Sequence, residues 1–200
     1  MYAVMFAATA DEADALRLLE DAAFTARLFA AMEDHERTLH LEKLWAAIHF
    51  VLSGSTRIAA AGPPFDFLRP GGGGAAVGPD LGHGRPRLLT PAMVRAIAEA
   101  VEGIPRDVLD ARLASPELAH VHPFTGAAVD AASSGRVLVE AAARIAGEDA
   151  AEELVARVMP PRGARPTAAE RADVREGLEE LQAFLAKLVR AGSGALVSIA

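Results

Sequence analysis

The strongest constraint on this chain lies near its end. Thr167 and Glu170 form a T-x-x-E capping box, and Val174, Leu178, Leu181, Leu185 and Leu188 follow at helical spacing before Gly192-Ser193-Gly194. The spacing predicts one helix over Ala168 to Ala191. A stripe that long is stable only when another layer covers it. Ala195 to Ile199 is an apolar run too short for a helix, and Tyr2 to Ala8 is its counterpart at the other end. Both read as buried strands, and we expect them to pair, closing a small sheet from the two ends of the chain.

Between these ends the punctuation is regular. Thr9 with Glu12 is a second capping box, predicting a helix from Ala10 to Asp21. Phe24, Leu28 and Met32 mark a second helix that ends before Asp34. Leu41, Leu44, Trp45, Ile48 and Leu52 give the stripe of a third, stopped by Ser53-Gly54-Ser55. Gly62 to Gly84 is rich in breakers, and Gly71 to Gly74 reads as a slack linker. Arg85 to Leu89 suits a short strand. Thr90-Pro91 then starts a helix with Val94, Ile97, Ala98 and Val101 on its core face. Pro105 and Ser115-Pro116-Glu117 open two further short helices, Thr125 to Gly135 reads as loop, and Val137 to Met159 reads as helical.

Composition removes several functions. A chain of 200 residues suits one domain and can bury about 70% of its unfolded surface. It has no cysteine, which excludes disulfides, thiolate nucleophiles and thiolate-bound metals. A net charge of −7 argues against non-specific nucleic-acid binding, which needs a cationic face. No apolar run approaches the ~20 residues of a membrane span, and the apolar start lacks a basic lead-in, so the expectation is a soluble, cytoplasmic protein.

Each candidate chemistry has a structural competitor. His35 and His40 are five residues apart. A helix would turn them about 140° away from each other, unlike the i, i+4 pair of a zinc protease, so a solvated loop is the better account. His120 and His122 could chelate a metal from an extended segment, with Asp80, His83 or Asp130 converging in space; a loop packed by Val121 and Phe124 competes. His49 lies one turn after Trp45 on an apolar helical side, where a buried neutral imidazole is the usual outcome and a general base the sharper one. Gly82-His83-Gly84-Arg85-Pro86-Arg87 lacks the last glycine of a dinucleotide fingerprint, and no Gly-Lys-Ser/Thr phosphate loop is present. A turn that uses Gly78, Gly82 and Gly84 for backbone reasons, with Asp80 accepting hydrogen bonds from nearby amides, is the better account of those glycines.

Two segments carry a family resemblance. One is Leu41 to Gly54, with Lys43, Leu44, Trp45 and His49; the other is Gly78-Pro79-Asp80-Leu81-Gly82-His83-Gly84, leading through Leu89-Thr90-Pro91 to Val94. Together with His122-Pro123 and the terminal helix and strand, they make about two thirds of the chain resemble the YfbM-like family, a bacterial set known as domain of unknown function 1877. Tyrosine is usual in that family where His83 stands. The resemblance implies a single helix-rich α+β (α/β) domain over residues 1–200, with a small mixed sheet surrounded by helices. A variable insertion would lie around residues 125–166. It implies no activity and no cofactor.

The reading is therefore a non-catalytic binding or interaction module. Its groove would form where the Asp80 to Arg87 turn meets the Trp45–His49 helix, lined by Trp45, His49, Asp80, His83, Arg85 and Arg87. Its partner is an unidentified protein or small molecule. In a narrower form, its acidic surface would block a basic protein, as an immunity-type protein does. The competing reading is a hydrolase or metal-dependent enzyme using His49, His83, His120 or His122 with Asp80.

Overall fold

The computed structural model describes residues 3–42, 44–56, 62–69, 72–81, 84–121 and 165–199. In chain order these form β1 (Ala3–Ala8), α1 (Ala10–Leu18), α2 (Asp21–Met32), β2 (Thr38–Glu42) and α3 (Trp45–Ser53). A 3-10 turn (Phe65–Leu68), β3 (Ala75–Ala76) and β4 (Arg87–Leu89) follow, then α4 (Pro91–Glu102) and α5 (Arg106–Leu113). A second 3-10 turn (Pro116–His120), α6 (Ala168–Ala191) and β5 (Gly194–Ile199) complete the described elements. The insertion expected around 125–166, with its loop and helix, falls almost wholly outside the described residues.

The result is a helix-rich α+β architecture around one five-stranded open sheet, in the order β2-β1-β5-β4-β3. The two terminal strands pair as expected, from Ala3 opposite Ile199 to Ala8 opposite Gly194. Every described pairing is antiparallel, where the resemblance implied a mixed sheet.

The sheet separates two cores because alternate residues of a strand point to opposite faces. Ala3, Met5, Leu39, Leu89, Ala195, Val197 and Ile199 face α3, α4, α5 and α6 in the larger core, around Trp45, Ile48, Leu181 and Leu185. Phe6, Ala8, Leu88 and Leu196 face α1 and α2 in the smaller one, around Leu16, Phe24 and Leu28.

Three expectations are corrected. The chain ends its first helix at Leu18 and starts the second at Asp21. Leu41, assigned to the third helix, belongs to β2, and the segment expected to be a solvated loop becomes an edge strand from Thr38. Pairing with β1 outweighs the helical stripe, and β2 also completes the end of α2. Thr38 Oγ1 donates to the Ala31 carbonyl at 2.7 Å, and His40 Nε2 lies 3.1 Å from the Met32 carbonyl. The His35 and His40 rings consequently meet, with centroids 5.7 Å apart.

Candidate functional site

α3 is apolar on almost every side, since Trp45, Ala46, Ile48, Phe50, Val51 and Leu52 are all buried. A helix hydrophobic all round is a core helix, which makes its polar groups conspicuous. Trp45 is fully buried and His49 is 1% exposed. Among the described residues, neither the Trp45 Nε1–H nor either imidazole nitrogen has a hydrogen-bond partner. Burial pushes the His49 pKa below the ordinary histidine value. The Phe65 main chain pulls it back upward, although it stands outside hydrogen-bonding geometry; Arg69 adds to the lowering and Asp66 opposes it. All three belong to the 3-10 turn at Phe65–Leu68 and its edge, which packs on α3.

The Asp80 turn is closed by its own bonds. Gly84 N–H donates to Asp80 Oδ1 at 3.1 Å, Leu81 N–H to the Gly84 carbonyl at 3.2 Å, and Arg85 Nε to the Gly78 carbonyl at 2.6 Å. Its backbone presses on α2, so a Cβ at Gly78 would come within 2.4 Å of the Phe24 ring. Val77, Leu81 and Phe24 belong to the smaller core, whereas Trp45 belongs to the larger. The sheet therefore lies between Asp80 and Arg85 on one side and Trp45 and His49 on the other. These residues do not line one groove, nor do His49 and Asp80 form one reactive cluster.

Among the described turn residues, Arg87 crosses over. It pairs with Val197, in register with Met5, on the face of the larger core. Its Nε donates to the Gly72 carbonyl at 2.7 Å. The expected slack linker is thus tied down, since Gly73 N–H also bonds the Asp66 carboxylate and Gly72 N–H bonds the Arg69 carbonyl. His83, His122 and the side chain of His120 lie outside the described residues. Among the described residues no three histidines or carboxylates are grouped to hold a metal. Nor is any helix among the described residues long and apolar enough to cross a membrane.

A cleft that the sequence reading missed opens at the far end of α3. It is a wide, shallow depression of about 610 Å³, largely open to solvent, between the end of α3 and α5 with the second 3-10 turn. Phe50, Gly54, Thr56 and Val108 line it, together with Ala111, Arg112, Ser115 and Glu117. The construction follows from the four carbonyls that every helix leaves open at its end. Ser53 Oγ donates to the His49 carbonyl and Gly54 N–H to that of Phe50. Arg112, reaching over from α5, gives Nη1 to the Val51 and Leu52 carbonyls at 2.8 and 2.7 Å. A cation at this end also complements the helix dipole. Gly54 takes a left-handed φ of 70°, and a Cβ there would stand 2.9 Å from Arg112 Nη2. No local pattern marks Arg112, because its partners lie 60 and 61 residues away.

Residues 1–126 match the model of a family described as a domain of unknown function (DUF1877). The chain belongs to that family. Among solved structures, the protein of unknown function YfbM from Escherichia coli is similar across 100% of both chains, with a TM-score of 0.56 and 16% identity. That likeness supports the fold of this DUF1877 member. No curated protein matches it.

Proposed function

We propose that this chain is a binding or interaction module that performs no chemistry of its own and takes its ligand in the cleft between α3 and α5. The observation that carries the reading is a cleft of about 610 Å³ with a cation fixed to main-chain carbonyls at its wall. Binding clefts for small molecules are commonly roughly 300–1,000 Å³, apolar in the main, with a few polar groups set in position. In the narrower form, the partner is a basic protein drawn by the net charge of −7, as the partner of an immunity-type protein would be. A cytoplasmic location goes with this reading.

The test compares the full chain with an Ala111→Trp variant. Ala111 is exposed on α5 and lines the cleft, so the added indole fills the opening without entering a core. Both proteins would be screened by thermal shift against a mixed small-molecule library and by capture from bacterial lysate. A ligand at a hundred times its Kd stabilises the folded state by about 2.7 kcal/mol, a readable shift. At least one ligand should stabilise the parent and leave the variant unmoved. If no ligand or partner distinguishes the two proteins, the reading fails.

A further inference from the structure

We propose that the cleft takes a small organic monocarboxylate, gripped by the free edge of Arg112 with its hydrocarbon laid over Val108 and Ala111. This rests on the binding-module reading and names its ligand class.

The geometry of the guanidinium carries the inference. Nη1 spends its protons on the carbonyls of Val51 and Leu52, so the group is in place before any ligand arrives. A Cβ on Gly54 would lie 2.9 Å from Nη2 and 3.1 Å from both Cζ and Nε. Distances that similar put the guanidinium plane flat across the glycine, with one face covered. What remains is the edge formed by Nε and Nη2, and no described residue bonds it. Two parallel N–H bonds on such an edge match the two oxygens of a carboxylate, a fit that lysine cannot reproduce.

The surroundings choose among anions. Glu117 lines the same cleft, where the Ser115 hydroxyl bonds its carboxylate, and the negative end of α3 points there as well. A dianion such as phosphate meets more repulsion from these charges than a monoanion does. Val108 and Ala111 supply apolar wall that an inorganic ion would leave unused.

The experiment is an NMR titration of the ¹⁵N-labelled full chain with hexanoate, hexanamide and inorganic phosphate. It is repeated on Arg112→Lys and Ala111→Trp. Hexanoate should give saturable shifts at Arg112 Nε and at the Val108 and Ala111 amides. Hexanamide should bind about tenfold more weakly, as should hexanoate to R112K, the range expected for a charge-assisted pair. A111W should lose the hexanoate response while keeping the rest of its spectrum. Equal binding of acid and amide, preference for phosphate, no saturation by hexanoate, or a response that survives A111W would each overturn the assignment. If A111W still abolishes ligands found in the general screen while acid and amide bind alike, the binding module stands and the carboxylate falls.

Discussion

Glu12 is held at a pKa of about 2, first by its hydrogen bond from Arg37, and further by the Thr9 main chain, against the upward push of burial. Arg37 Nη2 reaches Glu12 at 2.6 Å and the Ala7 carbonyl at 2.8 Å, with the guanidinium 5.0 Å above the Phe6 ring. One side chain thus joins α1, β1 and the entry to β2. A carboxyl whose pKa is lowered on folding stabilises the protein fully above its unfolded value, 4.5, and loses that contribution as the pH falls towards 2. Glu12→Gln should cost about 1–2 kcal/mol in urea unfolding at pH 7, after discounting for a partly solvated pair, and the difference should vanish near pH 2. A constant difference across that range would refute the linkage. His49 works in the same direction along the pH scale, in a window nearer neutrality. Its pKa drops on folding, so below the unfolded value of 6.5 the unfolded chain binds protons more readily and stability falls as acid is added. His49→Phe should flatten the loss of stability between about pH 6.5 and 5. Because it removes a buried polar group with no hydrogen-bond partner among the described residues, it should leave stability at pH 7 unchanged or higher. An unaltered acid slope would mean the imidazole is solvated.

The end of α3 is where element-level reasoning has most to test. Gly54→Ala puts a methyl at a left-handed position and against the Arg112 guanidinium, so a loss of about 1–2 kcal/mol is expected in chemical denaturation. A loss under about 0.5 kcal/mol would show that Arg112 moves aside freely. Elements with local signals were legible in sequence. Thr9 with Glu12 and Thr167 with Glu170 form their capping boxes, Thr90 caps α4 through the Met93 amide, and Gly192 ends α6 in a left-handed turn. β2 was not legible, because Leu41 sits at helical spacing from Leu44, Trp45 and Ile48, while its strand identity comes from pairing with β1. The Asp80 turn was legible in its internal bonding but not in its position. Nothing local in the glycines says that Gly78 packs on Phe24 and not on Trp45. Arg112 gave no signal for the same reason, since its role exists only once α5 reaches the end of α3.

At the scale of the molecule, β5 is the central strand, with β1 on one side and β4 on the other, and all six of its residues are buried. Ending the chain at Gly192 should therefore abolish cooperative unfolding rather than shift it, because both cores lose a wall. A sigmoidal transition in the truncated chain would show that the sheet closes without it. The same sheet separates the Asp80 turn from the Trp45 helix, and the α3–α5 end is a concave feature with a fixed charge. That arrangement is tested most directly by a crystal structure of the full chain soaked with hexanoate at saturating concentration. Ligand density should lie in the cleft, with its two carboxylate oxygens about 2.7–2.9 Å from Arg112 Nε and Nη2. Density elsewhere, or an empty cleft with the Arg112 edge turned to another partner, would contradict it.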